Sequence, residues 1–559
     1  MSKPSTRDFL YFGREKPVIP ERGGRLPVAL AFPGPERFAL SGLGWQAVYR
    51  LLAQAPGFSV ERFFLEDAGG AEPVSADSRT PLSAFPCIAL SLTFEEEYLA
   101  CLRALEAAGV PARAADRSDW PLVLAGGPLA WLNPAPFAPC ADLFWVGEAE
   151  AGLADVMERV RDAAMAGRPK REFLESVADL PGVWVPGSSP TPVRRVVHVG
   201  AGGGRTLAEP AYSCFISGRA EFADMLLLEV NRGCPYGCRF CAAGFIYRPP
   251  RHAELDELKA IVEAANPPKV GLVGTALTDW PRLMDFLVWL KERGTKFSLS
   301  SIRADGVTPE FLKFLRASGL RTITLALEAP SRRLRLAANK RLREEDFLAA
   351  VRLCAEHTVN HLKVYCIVGW PGETEEDYAE LGTFLHEIQR AREEGKGRRS
   401  KGLELITLSL SQLVPKPWTP FQWAPMATAE QLDSVIAKVK AMAKPLRGLK
   451  VSADSSFGAR LQGFLSRSGP EAFDFLLAAA RLGGWRKAMR ETGTDFAPVL
   501  DRERGEREAF PWEVVDPGVG REHLWREWRR YKQERQTPVC PAEGCGKCRL
   551  CGMFEAEAR

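Results

Sequence analysis

The sequence predicts an α/β chain: a doubly wound parallel sheet in front, then a partial (β/α)6 barrel, then a helical region and a cysteine-rich tail. Three observations carry this. Short apolar runs alternate with amphipathic stretches between residues 26 and 165, the alternation resumes from about 224 to 425, and from about 426 the pattern turns helical. Strands of a parallel sheet are covered on both faces and read as continuous apolar runs, while the helices between them keep a 3.6-residue period.

Taken in order, residues 1–25 form an N-terminal arm. Residues 26–165 hold five strand candidates: "PVALAF" (27–32), "VERFFL" (60–65), "CIALSLT" (87–93), "PLVLAGG" (121–127) and "DLFWVGE" (142–148). The stretch "GWQAVYRLLAQA" (44–55) is the first covering helix, apolar along one face. Residues 166–220 form a linker region, with the loop compositions "PGSSPTP" (186–192) and "GAGGGRT" (200–206). The second series, 221–425, reads "MLLLEVN" (225–231), "KVGLVGT" (269–275), "KFSLSS" (296–301), "TITLALE" (322–328), "LKVYCIVG" (362–369) and "LITLSLSQ" (405–412). Its helix 308–319 is punctuated by Thr308 as cap, Pro309 in the first turn and Gly319 at the end. In β/α barrels chemistry sits at the C-terminal ends of strands. Residues 426–533 read as helices, and 534–559 as a metal-binding tail.

At 559 residues the chain exceeds one core. A net charge of +4 with acids and bases interspersed gives no electrostatic footprint for nucleic acid. No apolar run reaches membrane-spanning length, and the opening residues lack the build of an export signal. Of 13 cysteines, six (Cys87, Cys101, Cys140, Cys214, Cys354, Cys366) are scattered, mostly among apolar neighbours. Scattered free thiols suit a reducing cytoplasm, where clustered ones hold metal.

Three cluster in "NRGCPYGCRFCAAGF" (231–245), directly after the first strand of the second series: Cys234, Cys238 and Cys241. Their close spacing lets three thiolates turn inward on one loop, and cluster irons favour thiolates. A four-iron cluster has four corners, so three cysteines leave one iron open to the amino and carboxylate groups of a small molecule. Gly233 and Gly237 let the backbone bend around it. Four-ligand zinc would need another local donor, and no histidine lies within ten residues of any of the three cysteines.

The C-x3-C-x2-C spacing, with Phe240 before the third cysteine, resembles the radical SAM superfamily. The resemblance implies a partial TIM-like barrel, a 4Fe-4S cluster on Cys234, Cys238 and Cys241, and S-adenosylmethionine at the open iron. Reductive cleavage would yield a 5′-deoxyadenosyl radical that acts on a substrate, with a one-electron donor of flavodoxin or ferredoxin type. The same resemblance places Gly274 and Thr275, in "GLVGTAL" (271–277), near the methionine amine; the acidic residue usual there is missing. In "LEAPS" (327–331) it makes Glu328 and Ser331 candidates for the cofactor's ribose or amino end, against an ion pair with an arginine such as Arg332. In "IVGWPGETEED" (367–377) it puts Ile367 and Gly369 at the adenine, while Thr374 and Asp377 cap the next helix. "VPKPWTPFQW" (414–423) resembles a P-K-P-x-T-P-F-Q signature; Lys416 and Gln422 either face substrate or belong to a rigid lid.

The Rossmann-like front unit resembles the cobalamin-binding domain fused before many radical SAM cores. Ser91, in "LSLT" (90–93), and Gly126 and Gly127, in "AGGP" (125–128), stand at that family's serine-turn and double-glycine motifs. Its D-x-H-x-x-G motif is missing, because the first histidine in the chain is His198. Either cobalamin binds without a histidine below cobalt, or the unit has lost the cofactor and packs on the barrel. Together with the C-terminal segments, the chain resembles a radical SAM family with a cysteine-rich end and an unassigned substrate.

Cys540, Cys545, Cys548 and Cys551 close a four-thiolate site for zinc or a second 4Fe-4S cluster. The basic run "QRAREEGKGRRSKG" (389–402) reads as a solvated loop rather than an RNA site, and Leu524, Trp528 and Tyr531 as a docking stripe. The predicted activity is a radical SAM enzyme, cobalamin-assisted or not, on a small-molecule, peptide or RNA substrate; no residue is singled out as catalytic. The alternatives are a methylthiotransferase-like modifier of tRNA or ribosome, and a non-catalytic iron–sulfur or zinc protein that binds RNA.

Overall fold

The computed structural model describes residues 23–66, 70–198, 206–399 and 402–540. Strands β1 (Leu26–Phe32), β2 (Phe58–Phe64), β3 (Cys87–Ser91), β4 (Leu122–Gly126) and β5 (Leu143–Trp145) are parallel, and β6 (Val183–Trp184) joins β5 antiparallel at the edge. The order β2-β1-β3-β4-β5-β6 places the switch point between β1 and β3. Alternate residues feed two cores. Val28, Leu30, Ala89, Leu122 and Leu124 enter one; Ala29, Ala31, Ile88, Leu90, Val123 and Ala125 enter the other. Both faces are therefore buried, which is why the strands read as unbroken apolar runs.

A short strand β7 (Val193–Arg194) leads to the second unit. There β8 (Met225–Arg232), β10 (Lys269–Gly274) and β11 (Lys296–Leu299) run parallel, with β9 (Arg251–His252) antiparallel on β8. A second sheet holds β12 (Thr322–Glu328), β13 (His361–Val368), β14 (Leu405–Gln412) and β15 (Leu449–Ala453), all parallel. The two four-stranded sheets meet at the bridge Ile302–Leu325. The six strands expected from the sequence are present, arranged as a curved, split wall rather than a closed barrel. A further parallel strand, β15, lies in the region expected to be wholly helical. Its residues "LKVSA" are too few to break the helical pattern on either side, yet Leu449 and Val451 pack into the barrel core. Finally β16 (Val515–Asp516) pairs with β7.

The C-terminal helices do not form a separate body. Helix Phe473–Leu482 packs on Tyr98–Ala107 of the front unit, and Asn133 donates to the carbonyls of Ser466 and Ser468 at 3.0 and 2.8 Å. One core runs from the front sheet through Trp370, Phe421 and Trp423 to Leu524 and Trp528. The expected docking stripe is buried there: Leu524, Trp528 and Tyr531 are 0, 1 and 4% exposed.

The two units are clamped by Glu148, after β5, which is buried among Arg195, Arg232 and Arg251. Burial alone would raise this carboxyl; the Arg251 hydrogen bonds and the charges of all three arginines outweigh it and hold it at about 2. A depressed folded-state value contributes stability above the ordinary carboxylate range, lost as the pH falls towards about 2. Acid unfolding followed by near-ultraviolet circular dichroism should lose this pH dependence in Glu148→Gln, at lower stability near neutrality.

Two bases of the run 389–402, which begins inside the helix Glu375–Lys396, are engaged by the backbone. Arg392 donates to the carbonyls of Leu403, Glu404 and Arg447, and Arg399 to those of Glu356 and Gly395. Among the described residues, no helix is long and apolar enough to cross a membrane.

Candidate active site

The three clustered cysteines lie on the loop that leaves β8 at its C-terminal end. Gly233 starts that loop with φ +79°, and a Cβ there would stand 2.4 Å from the Tyr247 carbonyl oxygen and 2.9 Å from that of Pro249. Gly233→Ala should therefore cost about 1–3 kcal/mol of stability and misplace Cys234; urea unfolding checks the first, iron binding the second. Asn231, 2% exposed, ties the loop's root to the turn after β10: its Nδ2 donates to the Ala276 carbonyl at 2.7 Å and its Oδ1 accepts from the Ala276 amide at 3.2 Å.

Cys234, Cys238 and Cys241 are partly exposed, whereas Cys87, Cys101, Cys140, Cys214, Cys354 and Cys366 are buried. Burial pushes Cys234 up to about 11 and Cys238 up to about 12, and raises Cys241; within the trio, neighbouring cysteines push Cys234 and Cys238 further in the same direction. Among the described residues no group of three cysteine, histidine or acidic side chains stands arranged around a metal position. Three thiols on one loop are a donor set suited to a cluster of irons, and a thiolate-binding cation would reverse the upward shifts.

The loop is strapped from outside. Arg239, fully buried, donates to Glu527 at 3.1 and 2.9 Å, to the Thr537 hydroxyl at 3.2 Å and to the Arg535 and Ala337 carbonyls. Asn339 donates to the Gly237 carbonyl at 3.0 Å and accepts from the Thr537 amide at 2.9 Å. The Cys540 amide donates to the Pro235 carbonyl at 3.0 Å, which places the first tail cysteine against the loop. Cys545, Cys548 and Cys551 lie outside the described residues. Phe240 meets Trp370 edge-on at 5.5 Å, Trp370 meets Phe421 at 5.9 Å, and Phe421 meets Tyr531 at 4.7 Å, so aromatic rings connect loop and C-terminal helix.

Glu328 ends β12 with φ +69°, beside a register shift in the β12–β13 pairing. A non-glycine residue held there stores strain, a feature that concentrates at functional sites. Its partner is Lys340 Nζ at 3.0 Å, not Arg332. Burial would lower Lys340, but the Glu328 and Cys238 charges raise it. Thr275 is exposed and donates to the Gly233 carbonyl at 2.6 Å. Gly274 faces Asn231 so closely that a Cβ would lie 2.4 Å from Oδ1. Ile367 is half-buried, with its carbonyl taken by the Trp370 indole at 2.7 Å.

Several of the expected site residues are engaged by the chain itself. Ser331 is 1% exposed, caps Arg332–Ala337 and bonds Asp377, so its hydroxyl is not free for a ribose. Gly369 is buried, and its amide donates to Glu373 at 2.9 Å. Lys416 reaches Glu95 at 2.6 Å and the Ser466 hydroxyl at 2.7 Å, while Gln422 accepts from the Trp512 indole; both belong to a rigid lid. At the front sheet's edge, Ser91 pairs with Gly126. Gly127 has φ +93°, and a Cβ would stand 2.4 Å from the Leu92 carbonyl oxygen. No histidine lies in 26–165, so a histidine-ligated mode of cobalamin binding has no donor in the front unit.

Residues 44–186 match the family model "Radical SAM proteins, N-terminal", and residues 228–385 match "Radical SAM superfamily", together more than half of the chain. The uncharacterised protein MJ0966 of Methanocaldococcus jannaschii is 28% identical over 439 residues, covering 77% of this chain and 85% of that protein. The ribosomal protein uS12 methylthiotransferase RimO of Desulfotalea psychrophila is 28% identical over 174 residues, 28% of this chain and 39% of that one. Among solved structures, the radical S-adenosylmethionine methyltransferase TsrM of Kitasatospora setae, with tryptophan and a SAM analogue bound, superposes with a TM-score of 0.51 at 14% identity, covering 84% of this chain and 100% of that one. That likeness concerns the fold. With its cysteine loop on the first strand of an open parallel wall, the chain belongs to the radical SAM superfamily and is an enzyme of that kind.

Proposed function

We propose that Cys234, Cys238 and Cys241 hold a 4Fe-4S cluster whose open iron takes S-adenosylmethionine, and that the resulting radical acts on a substrate bound inside the wall of β8 and β10–β15. The observation that carries this is three partly exposed thiols on one loop at the C-terminal end of β8, against six buried thiols elsewhere among the described residues. Held by these cysteines, such a cluster would supply the single electron needed to split S-adenosylmethionine into methionine and a 5′-deoxyadenosyl radical, which would take a hydrogen atom from the substrate. Asn231, Arg239 and Asn339 hold the loop's backbone. Glu328, strained and charged, accepts the cofactor's amino or ribose groups, with Lys340 as its counter-charge when the site is empty of them. Thr275 and the side chain of Ile367 line the same mouth, and Phe240 with Trp370 shields the cysteines from water. Electrons come from a flavodoxin- or ferredoxin-type carrier, in keeping with a cytoplasmic location. Cys540 opens a tail that, with Cys545, Cys548 and Cys551, holds zinc or a second cluster.

The methylthiotransferase reading gains little support. That branch carries a further cysteine triad in its front unit, whereas here Cys87 enters one core and Cys101 and Cys140 the other, all 0% exposed. Anaerobic incubation with reductant and S-adenosylmethionine tests the proposal: 5′-deoxyadenosine should form, and Glu328→Gln should weaken S-adenosylmethionine binding by roughly tenfold through loss of a charge-assisted contact. Iron-loaded protein that never cleaves the cofactor would favour a non-catalytic iron–sulfur protein.

A further inference from the structure

The inner face of the sheet β12–β15 is polar where its outer face is apolar. Ile323, Leu325, Leu362, Val364, Ile406 and Leu408 point outward into the barrel core. The residues between them stand in register rows. Thr324, Lys363, Thr407 and Lys450 form one row, and Ala326, Tyr365, Ser409 and Ser452 form the next towards the cysteine loop. Lys363 and Lys450 are exposed, Tyr365 is 42% exposed, and Val273 on the facing sheet is 39% exposed, so these rows border open space rather than packed side chains. A barrel interior filled by layers of branched apolar residues is the usual arrangement; this wall departs from it.

Charge is graded along the wall. Its carboxylates, Glu328 and Asp454, sit at the mouth and are engaged by Lys340 at 3.0 Å and the Ser411 hydroxyl at 3.4 Å. Across the space, Glu229 is held by Arg232 at 2.8 Å and by the Ala211 amide at 3.0 Å. Deeper in, one row holds bases and hydroxyls, and the row below it is Thr322, His361 and Leu405. Lys363 and Lys450 flank Thr407, whose hydroxyl meets His361 Nε2 at 2.9 Å. On the other sheet Lys269 and Lys296 are register partners. Neighbouring strands lie about 4.8 Å apart, so Lys363 and Lys450, two strands apart, stand about 10 Å apart at Cα. Two flexible ammonium groups at that separation converge on one doubly charged anion, with the Thr407 hydroxyl between them and that of Thr324 on the other side of Lys363.

We propose that this wall binds a phosphorylated polar substrate, its phosphate in the row Thr324–Lys363–Thr407–Lys450 and its reacting end raised past Tyr365, Ser409 and Ser452 towards the cysteine loop. The identification of this anion site as the substrate's rests on the radical SAM reading above; the anion site itself does not. Titration of the full-length protein with inorganic phosphate, followed by phosphorus NMR line broadening, tests it directly. The wild type should bind phosphate, and Lys363→Ala with Lys450→Ala should weaken binding by about tenfold or more. Lys363→Arg, which keeps the charge, should retain it, and far-ultraviolet circular dichroism checks that each variant is folded. Cys238→Ala should bind phosphate as the wild type does. Equal binding by wild type and double variant, no binding by either, or tighter binding of citrate than of phosphate would overturn the proposal. Failure of the cluster reading would appear separately, as wild-type protein that takes up no iron while phosphate still binds.

Discussion

Cys238→Ala is expected to abolish both the iron–sulfur absorption of anaerobically reconstituted protein and the formation of 5′-deoxyadenosine. Loss of an outer partner of a metal ligand commonly costs roughly 10–100-fold in affinity or activity, and loss of a ligand itself costs more. Cys238 sits between the other two in sequence, and its sulfur lies 4.0 Å from the Asn339 carbonyl oxygen, on the side where Asn339 straps the loop. Cys354→Ala is the matched control: that thiol is fully buried in the barrel core, away from the loop. It should cost packing stability and leave iron content unchanged. Iron retained by Cys238→Ala at the wild-type level would sink the assignment.

The second large effect is expected at Arg239. Its guanidinium and the Glu527 carboxylate are 0 and 2% exposed at the side chain and pair at 2.9 Å. Removing one partner of a buried pair strands the other charge, which typically costs about 3–5 kcal/mol. Arg239→Ala should therefore lower the urea midpoint markedly and loosen the cysteine loop, read as slower or weaker iron uptake. The double variant Arg239→Leu with Glu527→Leu should recover much of the stability, since no lone charge remains. It should not recover iron uptake fully, because the contacts from Arg239 to the Thr537 hydroxyl and the Arg535 carbonyl are gone as well. The Glu527 carboxyl is held below its ordinary value: burial opposes this, but Thr537 and Arg239 outweigh it. The contribution of this pair is thus present above the ordinary carboxylate range and fades as the pH falls through the lowered value. Should the single and double variants prove equally unstable, packing rather than charge would be the cause.

What was legible beforehand follows from how local each signal is. The three cysteines fall within eight residues, so their spacing alone announces the loop. The strands of the front unit are runs of apolar residues, those of β12–β15 alternate apolar with polar ones, and the strand ranges found lie close to those read from the sequence. Strand β15 escaped because five residues between helices carry too little pattern. The loop's supports escaped for another reason: Arg239 meets Glu527, and Asn339 meets Thr537, across about 200 residues or more of chain, and nothing in either segment points to the other. Glu328 was marked by resemblance, but its left-handed backbone and its Lys340 partner belong to three dimensions only. Ser331 and Gly369 were hard to assign because a serine at a helix start and a glycine in a turn look alike whether they serve a ligand or the chain itself.

The bond from the Cys540 amide to the Pro235 carbonyl, together with the Asn339 and Arg239 contacts, means that protein alone shapes the cysteine loop. Iron delivery then becomes a late arrival at a finished berth rather than the event that nucleates folding. A metal-free preparation should melt as one cooperative unit close to the loaded one, and inactive protein purified in air should be rescued by reconstitution without refolding.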